Sequence, residues 1–525
     1  MPSPYTSSAT TTFAQSGVNT IDSLLSSYYQ KWSSTSASAV ALTYSFPWIN
    51  GAFASWQNNY SANSEPYATQ HFGLNTTQMA AATNALQTWA DVANVTFTQV
   101  ADTVTTVGDF RFAFSSAVGS NYWGYAGYPN SYWASAADVW INPSYASYSD
   151  WSVGSYNYMS LVHEIGHGLG LKHPGNYDSS GTGTLGPYLP AALDYRTYSI
   201  MSYNDLNTWF LDTTQNKYIE VVPETPMVYD IAAIQYLYGA NNTFHPRNDT
   251  YTFDPTHPFY KTIWDAGGND AINVSNFSTN CTIDLTPGHY SSILYINQGT
   301  ISNRYTGINN LGIAFGTIIE NVICGSGNDT IITNTANNII DGGAGSDIVV
   351  FSGKDANYTI TTSGTGFAVK DNEGSDSTDT VINVEKLQFT DHTLTVVASP
   401  SENLLEAYRI YKAAFDRMPD YGGLGYWYKS MNNGMSLTSV ANEFIHSIEF
   451  VAMYGANTTD TVFVTLLYQH VLVRAPDQAG YEFWLNDLHI DTRPAVLVHF
   501  SESTENKVDV AGVIMNGIIY QEYVG

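Results

Sequence analysis

His163-Glu-Ile-Gly-His-Gly-Leu-Gly-Leu-Lys-His173 is the stretch on which the reading turns. On a helix, His163 and His167 stand four residues apart, so both imidazoles leave one face. That spacing lets two nitrogens grip one ion at about 2.0–2.1 Å. Glu164 follows the first histidine and reaches a water on such an ion without being a ligand. Gly170 can take the left-handed conformation that stops a helix, and the chain then turns to bring His173 to the same ion. Three neutral nitrogens leave one coordination position open, which marks a catalytic zinc rather than a structural one. Zinc lowers the pKa of its water toward about 7, and Glu164 is expected to take a proton as the water attacks a peptide carbonyl. A bare His-Glu-x-x-His is a weak signal. The longer pattern of His163, Glu164, His167, Gly170 and His173 arises by chance on the order of once in ten thousand chains of this length.

Downstream lies Tyr198-Ser-Ile-Met-Ser-Tyr203. The extended histidine motif resembles that of the metzincins, and Met201 then stands where that family carries a methionine turn beneath the metal. Tyr203 stands where the serralysin and astacin branches carry a tyrosine that ligates resting zinc and swings away to hydrogen-bond the oxyanion. Further segments resemble the serralysins: Val18-Asn-Thr-Ile-Asp-Ser-Leu-Leu25, Leu42-Thr-Tyr-Ser-Phe-Pro47, Asp230-Ile-Ala-Ala-Ile-Gln-Tyr-Leu-Tyr-Gly-Ala240 and Trp264-Asp-Ala-Gly-Gly-Asn-Asp270. The resemblance covers residues 17–350. It implies a secreted zinc endopeptidase with one catalytic Zn²⁺ on His163, His167 and His173, Glu164 and Tyr203 as its catalytic groups, and Met201 as a structural floor. It also implies that Asp138, Val139, Trp140, Ile141 and Asn142 form the edge strand that pairs with an extended substrate.

Periodicity predicts helices over residues 21–32, 75–93 and 158–169, the second with Met79, Ala82, Leu86 and Trp89 on one face and Asn75 or Thr76 as its cap. Alternation predicts strands over 95–100, 110–114 and 138–142. Residues 1–16 are polar and read as a loose segment or propeptide.

From about residue 250 the chain changes to short strands separated by Gly, Asn and Asp. A nine-residue period runs Cys324-Gly-Ser-Gly-Asn-Asp-Thr-Ile-Ile332, Thr333-Asn-Thr-Ala-Asn-Asn-Ile-Ile-Asp341, Gly342-Gly-Ala-Gly-Ser-Asp-Ile-Val-Val350. It resembles the repeats-in-toxin nonapeptide, in which glycine turns expose carbonyls, Asp adds a charged oxygen and adjacent turns complete a shell for Ca²⁺. Several structural Ca²⁺ ions are therefore expected. Candidate ligands are Gly325, Gly327, Asp329, Asn338, Gly342, Gly343, Gly345 and Asp347. By resemblance, Ile318 (through its carbonyl) and Glu320 open the roll, and Asp265, Gly267, Gly268 and Asp270 form a separate calcium site. Cys324 and Thr333 stand where glycines are expected, Asn338 stands for Asp, and only about three turns conform.

After Ala398-Ser-Pro-Ser401 the pattern turns helical and repeats itself. Arg417 pairs with Arg474, Asp420 with Asp477 and Trp427 with Trp484, an internal repeat that reads as a tandem all-α module. It resembles a helical domain of uncharacterised function appended to secreted bacterial proteins. Its Arg and Asp positions read as turn-fixing ion pairs. Attachment to a cell-surface or surface-layer component and carriage of a secretion signal both remain open as its role.

The fold expected is thus multidomain α+β. Residues 1–16 precede a metzincin zinc-protease domain (17–245). A parallel β-roll or β-sandwich with calcium-binding nonapeptides follows (246–398), then an all-α C-terminal domain (401–525). The 525 residues carry 18 Lys+Arg against 46 Asp+Glu, a formal net charge of −28. Such a balance opposes nucleic-acid binding, which needs basic surface, and suits a protein that binds hard cations. Cys281 and Cys324 are too few for a disulfide scaffold and read as buried thiols, with a single bridge left open. No apolar run is long enough to span a membrane, and the first residues lack the pattern of a secretory signal peptide. The resemblance implies export by the type I route as a monomer acting on protein or peptide. Two other readings stand beside the endopeptidase: a processing protease for one surface-layer protein, and a calcium-dependent surface or adhesion protein with a vestigial protease domain.

Overall fold

The computed structural model describes residues 2–33, 39–177 and 186–524. The chain forms two compact units, 1–326 and 327–525.

In the first unit, β1 (Thr10–Thr12) pairs antiparallel with β2 (Gln30–Trp32). The Val107 N–H donates to the Pro2 carbonyl at 3.1 Å, and Ser7 Oγ to that of Asn130 at 2.8 Å. The N-terminal segment is therefore tied down, not loose as its composition suggests. The helix expected over residues 21–32 shrinks to one turn, α1 (Asn19–Asp22). Leu24 and Leu25 are already buried just past it, and Tyr29 adopts φ 52°, which ends any helix. The chain continues as β2, whose Trp32 is fully buried and donates Nε1–H to the Gly168 carbonyl at 2.7 Å.

The central sheet contains β3 (Val40–Ser45), β4 (His71–Gly73), β5 (Val95–Gln99), β6 (Phe110–Ser115), β7 (Gly124–Ala126) and β8 (Val139–Ile141). Its order is β5-β3-β6-β8-β7, with β4 also on β6. The β3–β5, β3–β6 and β6–β8 pairs are parallel, and β7–β8 is antiparallel. Every residue of β6 is buried, as suits a strand covered on both faces. Between β4 and β5, α2 (Thr76–Val92) starts at an Asn75–Gln78 capping box. Its Leu86 and Trp89 join Phe110, Phe112 and Ile165 in one core. That core backs α3 (Tyr156–Leu169) and α4 (Val228–Tyr238), whose Tyr238 hydroxyl donates to the Leu169 carbonyl at 2.8 Å.

The remainder of this unit is short strands, beginning with β9 (Trp209–Asp212) paired antiparallel with β10 (Lys217–Glu220). β11 (Thr250–Thr252), β13 (Ala271–Asn273) and β17 (Asn321–Ile323) run parallel. β12 (Lys261–Ile263) lies parallel to β16 (Leu311–Ile313), which is followed antiparallel by β15 (Tyr290–Ile293) and β14 (Cys281–Asp284). Cys281 and Cys324 are buried.

In the second unit, β18 (Thr330–Ile332), β20 (Ile348–Val350) and β24 (Lys386–Gln388) are parallel, as are β19 (Ile339–Asp341) and β23 (Thr378–Ile382). A hairpin of β21 (Tyr358–Ser363) and β22 (Gly366–Asp371) extends β23, and β25 (Thr393–Val397) extends β24. Helices follow from α5 (Glu402–Phe415) and α6 (Tyr421–Asn432) to Thr504–Ala511. The C-terminal region is not all-α: Ile518–Gln521 returns as a strand antiparallel to β25. Asp420 and Asp477 cap helices by accepting the N–H of Gly423 (2.7 Å) and Gly480 (2.8 Å). Arg417 and Arg474 reach Glu449 (2.7 Å) and Glu505 (2.8 Å), and their contacts with Asp420 and Asp477 are longer, 3.7 and 3.2 Å.

Candidate active site

Ser155 starts α3 by accepting the Tyr158 N–H at 3.2 Å. Gly170 ends it at φ 110°, with the Leu171 N–H returning to the Gly166 carbonyl at 2.9 Å. Between these caps His163, Glu164 and His167 are all buried. The turn after Gly170 places His173 Nε2 3.2 Å from His163 Nε2 and 3.0 Å from His167 Nε2. Tetrahedral nitrogens at about 2.0–2.1 Å from one zinc stand about 3.3 Å apart, so the convergence fits the ion.

The proton positions fit it too. His163 Nδ1 lies 2.8 Å from the Ile200 carbonyl and His167 Nδ1 2.7 Å from the Leu171 carbonyl. A carbonyl only accepts, so each Nδ1 carries the hydrogen and each Nε2 presents a lone pair. Burial holds all three imidazoles below their ordinary pKa, His167 at about 4, and neighbouring rings add to the effect at His163 and His173. Burial pushes Glu164 up to about 8, against a backbone hydrogen bond from Ala126 that favours the charged form.

Met201 is fully buried under α3, and a Cβ at Gly166 would stand 2.7 Å from its Sδ. Behind it, fully buried Asp230 accepts from Ser199 Oγ (2.6 Å), Ile200 N (2.6 Å) and Met227 N (2.8 Å). It thereby fixes the backbone at Ile200, whose carbonyl orients His163. Tyr203 lies with its ring centroid 4.2 Å from that of His173 and stacks on Tyr177 at 5.0 Å. Burial and the Glu164 charge raise the Tyr203 phenol pKa, so it stays a hydrogen donor. Tyr128, within the aromatic-rich segment Asn121–Trp133 that the sequence offers as a wall of the cleft, packs edge-on to His167 at 5.5 Å.

The expected edge strand needs correction. Residues 138–142 lie inside the sheet, with β8 between β6 and β7 and both Asp138 and Asn142 buried. Asp138 is bonded by the Tyr60 hydroxyl instead. The exposed edge belongs to β7. Asn142 N–H donates to Trp123 O (2.8 Å) and Ala137 N–H to Gly127 O (3.1 Å), so by alternation the peptide groups of Gly124 and Ala126 face away from β8. Gly124 and Ala126 line the cleft with Glu164, His167, His173 and Tyr203. A strongly apolar strand such as β8 is the better β-former, but hydrophobicity marks the interior of a sheet and not its edge.

The predicted calcium ligands lie between strands. Asp265 Oδ1 accepts the Gly267 N–H (2.8 Å) and its Oδ2 the Tyr251 hydroxyl (2.6 Å). Asp270 Oδ1 accepts the Asp249 N–H (2.7 Å), its own N–H donates to Glu320 (2.7 Å), and its Oδ2 is buried with no hydrogen-bond partner. Gly267, Gly268, Ile318 and Gly325 occupy the connections around them. In the second unit, Asp347 Oδ1 accepts the Asp329 N–H (2.7 Å), and the Asp347 N–H donates to Glu385 (2.7 Å). The Asn338 N–H donates to Asp379 Oδ1 (2.8 Å). Gly327, Gly342, Gly343 and Gly345 flank this ladder. Asp347 and Asp379 each keep a buried Oδ2 without a partner, and burial pushes their carboxyls up to about 6 and 8. Such orphaned oxygens are costly and fit a hard cation. Asp379 and Glu385 were missed in the sequence; the signal was Thr378-Asp-Thr-Val-Ile382, which repeats Asn328-Asp-Thr-Ile-Ile332 after a hairpin.

Three family models match the chain: Met-zincin over residues 150–252, peptidase M10 serralysin C terminal over 229–411, and a domain of unknown function (DUF4214) over 407–452 and 441–510. Among curated relatives, serralysin G of Dickeya chrysanthemi is 35% identical over 283 residues, 51% of this chain and 56% of the relative. Serralysin of Proteus mirabilis is 33% identical over 328 residues, 57% of this chain and 60% of the relative. Metallopeptidase AprA of Pseudomonas marginalis is 33% identical over 328 residues, 57% and 61% of the two chains. The chain thus spans less than two thirds of the length of each. With three converging histidine nitrogens, Met201 buried beneath their helix, and matches to the Met-zincin and serralysin C-terminal models, this chain is serralysin-like.

Proposed function

We propose that this chain is a zinc-dependent endopeptidase, stabilised by calcium, that works outside the cell on protein or peptide substrates. The observation that carries the reading is the convergence of three Nε2 lone pairs beside a buried Glu164. Zinc on His163, His167 and His173 supplies Lewis acidity toward water and the peptide carbonyl and draws the Glu164 carboxyl back toward its ionised form.

The rest is done by the chain. An extended peptide adds to β7 through the outward N–H and carbonyl of Gly124 and the outward carbonyl of Ala126. Glu164, steadied by the Ala126 N–H, takes the proton of the attacking water and passes it to the leaving amine. The Tyr203 hydroxyl donates to the oxygen that becomes negative. Calcium on the carboxylates that include Asp270, Asp347 and Asp379 offsets their buried, unpartnered oxygens. Among the described residues no helix is long and apolar enough to cross a membrane. Complete preservation of the ligands, Glu164 and Tyr203 favours an active enzyme over a vestigial one.

The test is casein cleavage by protein of measured zinc content, beside Glu164→Ala. About one zinc per chain and a rate drop of about 10²–10⁴-fold in the variant are expected. Wild-type protein loaded with zinc and calcium yet no more active than the variant would end the reading.

A further inference from the structure

We infer that Arg196 makes the pocket beside Glu164 select an acidic side chain at the substrate residue just after the scissile bond. This rests on the endopeptidase reading and names its substrate class. The pocket, of about 280 Å³, opens between Tyr156, Met159 and Ser160 of α3, Asn121 and Tyr122 before β7, and Arg196. A substrate antiparallel to β7 runs from the Ala126 end toward the Gly124 end. Residues before the scissile bond then lie by Tyr128, His167 and His173, and the first residue after it faces this pocket.

Among the described residues lining the pocket, Arg196 is the one cation and Glu164 the one anion. Glu164 is committed to the water, so the charge offered to a substrate side chain is the guanidinium. Its side chain is 13% exposed. Nη1 donates to both oxygens of Asp205 (2.8 and 2.7 Å) and Nε to the Ser202 carbonyl (3.2 Å). Nη2 enters none of these bonds. The guanidinium also sits over the Tyr156 ring, 5.9 Å from its centroid, which restricts its orientation. Neither Asp205 nor Glu220, the nearby acids, lines the pocket. An entering carboxylate therefore gains a charge-assisted hydrogen bond from Nη2, and an entering ammonium meets a like charge.

The experiment uses zinc- and calcium-loaded full-length protein and quenched peptides that differ only in the residue after one mass-verified scissile bond: Glu, Gln, Leu or Lys. For wild type, kcat/KM is expected about tenfold higher for Glu than for Gln, with Lys poorest. In Arg196→Gln the Glu/Gln ratio is expected to fall to about one while the Leu peptide is still cut. Arg196 also holds the Ser202–Asp205 loop, so Arg196→Lys, which keeps the charge without the fork, is read beside it and should retain part of the ratio. A wild-type ratio near one, a preference for Lys, or a Glu/Gln ratio unchanged in both variants overturns the inference while leaving the peptidase intact. No cleavage of any peptide by the loaded wild type overturns both.

Discussion

His163 and His167 rest their Nδ1–H on carbonyls, at 2.8 and 2.7 Å, whereas Asp347 and Asp379 of the roll each bury an oxygen that bonds nothing. In the proposed reading both places take a cation. At the histidines the protein supplies every other partner in advance: a backbone carbonyl for each of these two rings, a capped helix, and Asp230 behind the methionine turn. Neutral imidazoles cost little to bury, and their low pKa values keep them so. In the roll the protein supplies half of each carboxylate's partners and leaves the remainder to the ion. On that reading zinc would equip a site that stands without it, and calcium would complete a structure that leaves buried oxygens unpartnered without it.

The largest effect expected from this contrast is on local stability. Chelating calcium should abolish slow hydrogen exchange in β18, β20 and β23. One ion at a thousandfold excess over its Kd contributes about 4 kcal/mol, and its loss also strands buried carboxyls. Removing zinc with a zinc-selective chelator should leave the slow amides of α3 protected, because its caps and core are protein-made. Hydrogen exchange followed by mass spectrometry separates the two. Equal loss in both regions, or loss in α3 alone, would reverse the comparison.

A smaller effect sharpens it further. In calcium-free protein the folded-state pKa of Asp379 is about 8 and that of Asp347 about 6, against about 3.9 in an unfolded chain. The folded state then holds protons that the unfolded chain has released. Stability therefore falls as pH rises from about 4 and levels off once about 8 is passed. Solvent screening of these carboxyls cuts the total to the order of a few kcal/mol, read from urea midpoints between pH 4 and 9 in chelator. With calcium bound the carboxylates are held ionised, and the slope should vanish or change sign. A calcium-free protein that gains stability across that window would show that these oxygens find partners of their own.

How much could be read from the sequence divides along the same line. The candidate zinc site lies within one helix and the turn after it, so the convergence of His163 and His167 beside Glu164 was legible from spacing, and that of His173 from Gly170 before it. The partners that orient them were not: Ile200 and Leu171 act through backbone carbonyls, which any residue carries, and Asp230 is 30 residues from the Ile200 peptide that it holds. The edge strand was misplaced because the resemblance was laid on Val139–Ile141, a clear strand by its residues, and it is so clear because it is covered on both sides. Asp379 escaped because a hairpin, β21–β22, interrupts the nine-residue period before resuming it. The one-turn α1 and the returning strand Ile518–Gln521 escaped because tertiary pairing decided them.

The least effect expected compares one glycine under each regime of packing. Alanine normally stabilises a helix over glycine by up to about 1 kcal/mol. Gly422, exposed in the first turn of α6, has only the Gln521 Oε1 atom at 3.5 Å and Asp420 Oδ1 at 4.0 Å around an added Cβ. Gly422→Ala should therefore raise stability by about 0.5 kcal/mol. Gly166 of α3 is different. Its Cβ would stand 2.7 Å from Met201 Sδ and 3.1 Å from Trp89 Cζ2. The methionine tail can bend, but Trp89 is fully buried and donates Nε1–H to the Val162 carbonyl at 3.0 Å, so α3 must lift from the methionine turn. Gly166→Ala should cost about 1–3 kcal/mol and weaken zinc affinity, since Ile200, beside Met201, orients His163. Thermal midpoints and zinc titrations of the two variants test this together. If Gly166→Ala proved as benign as Gly422→Ala, the histidine helix would not be held by close packing on Met201, and the claim that the zinc site stands ready without its ion would lose its main support.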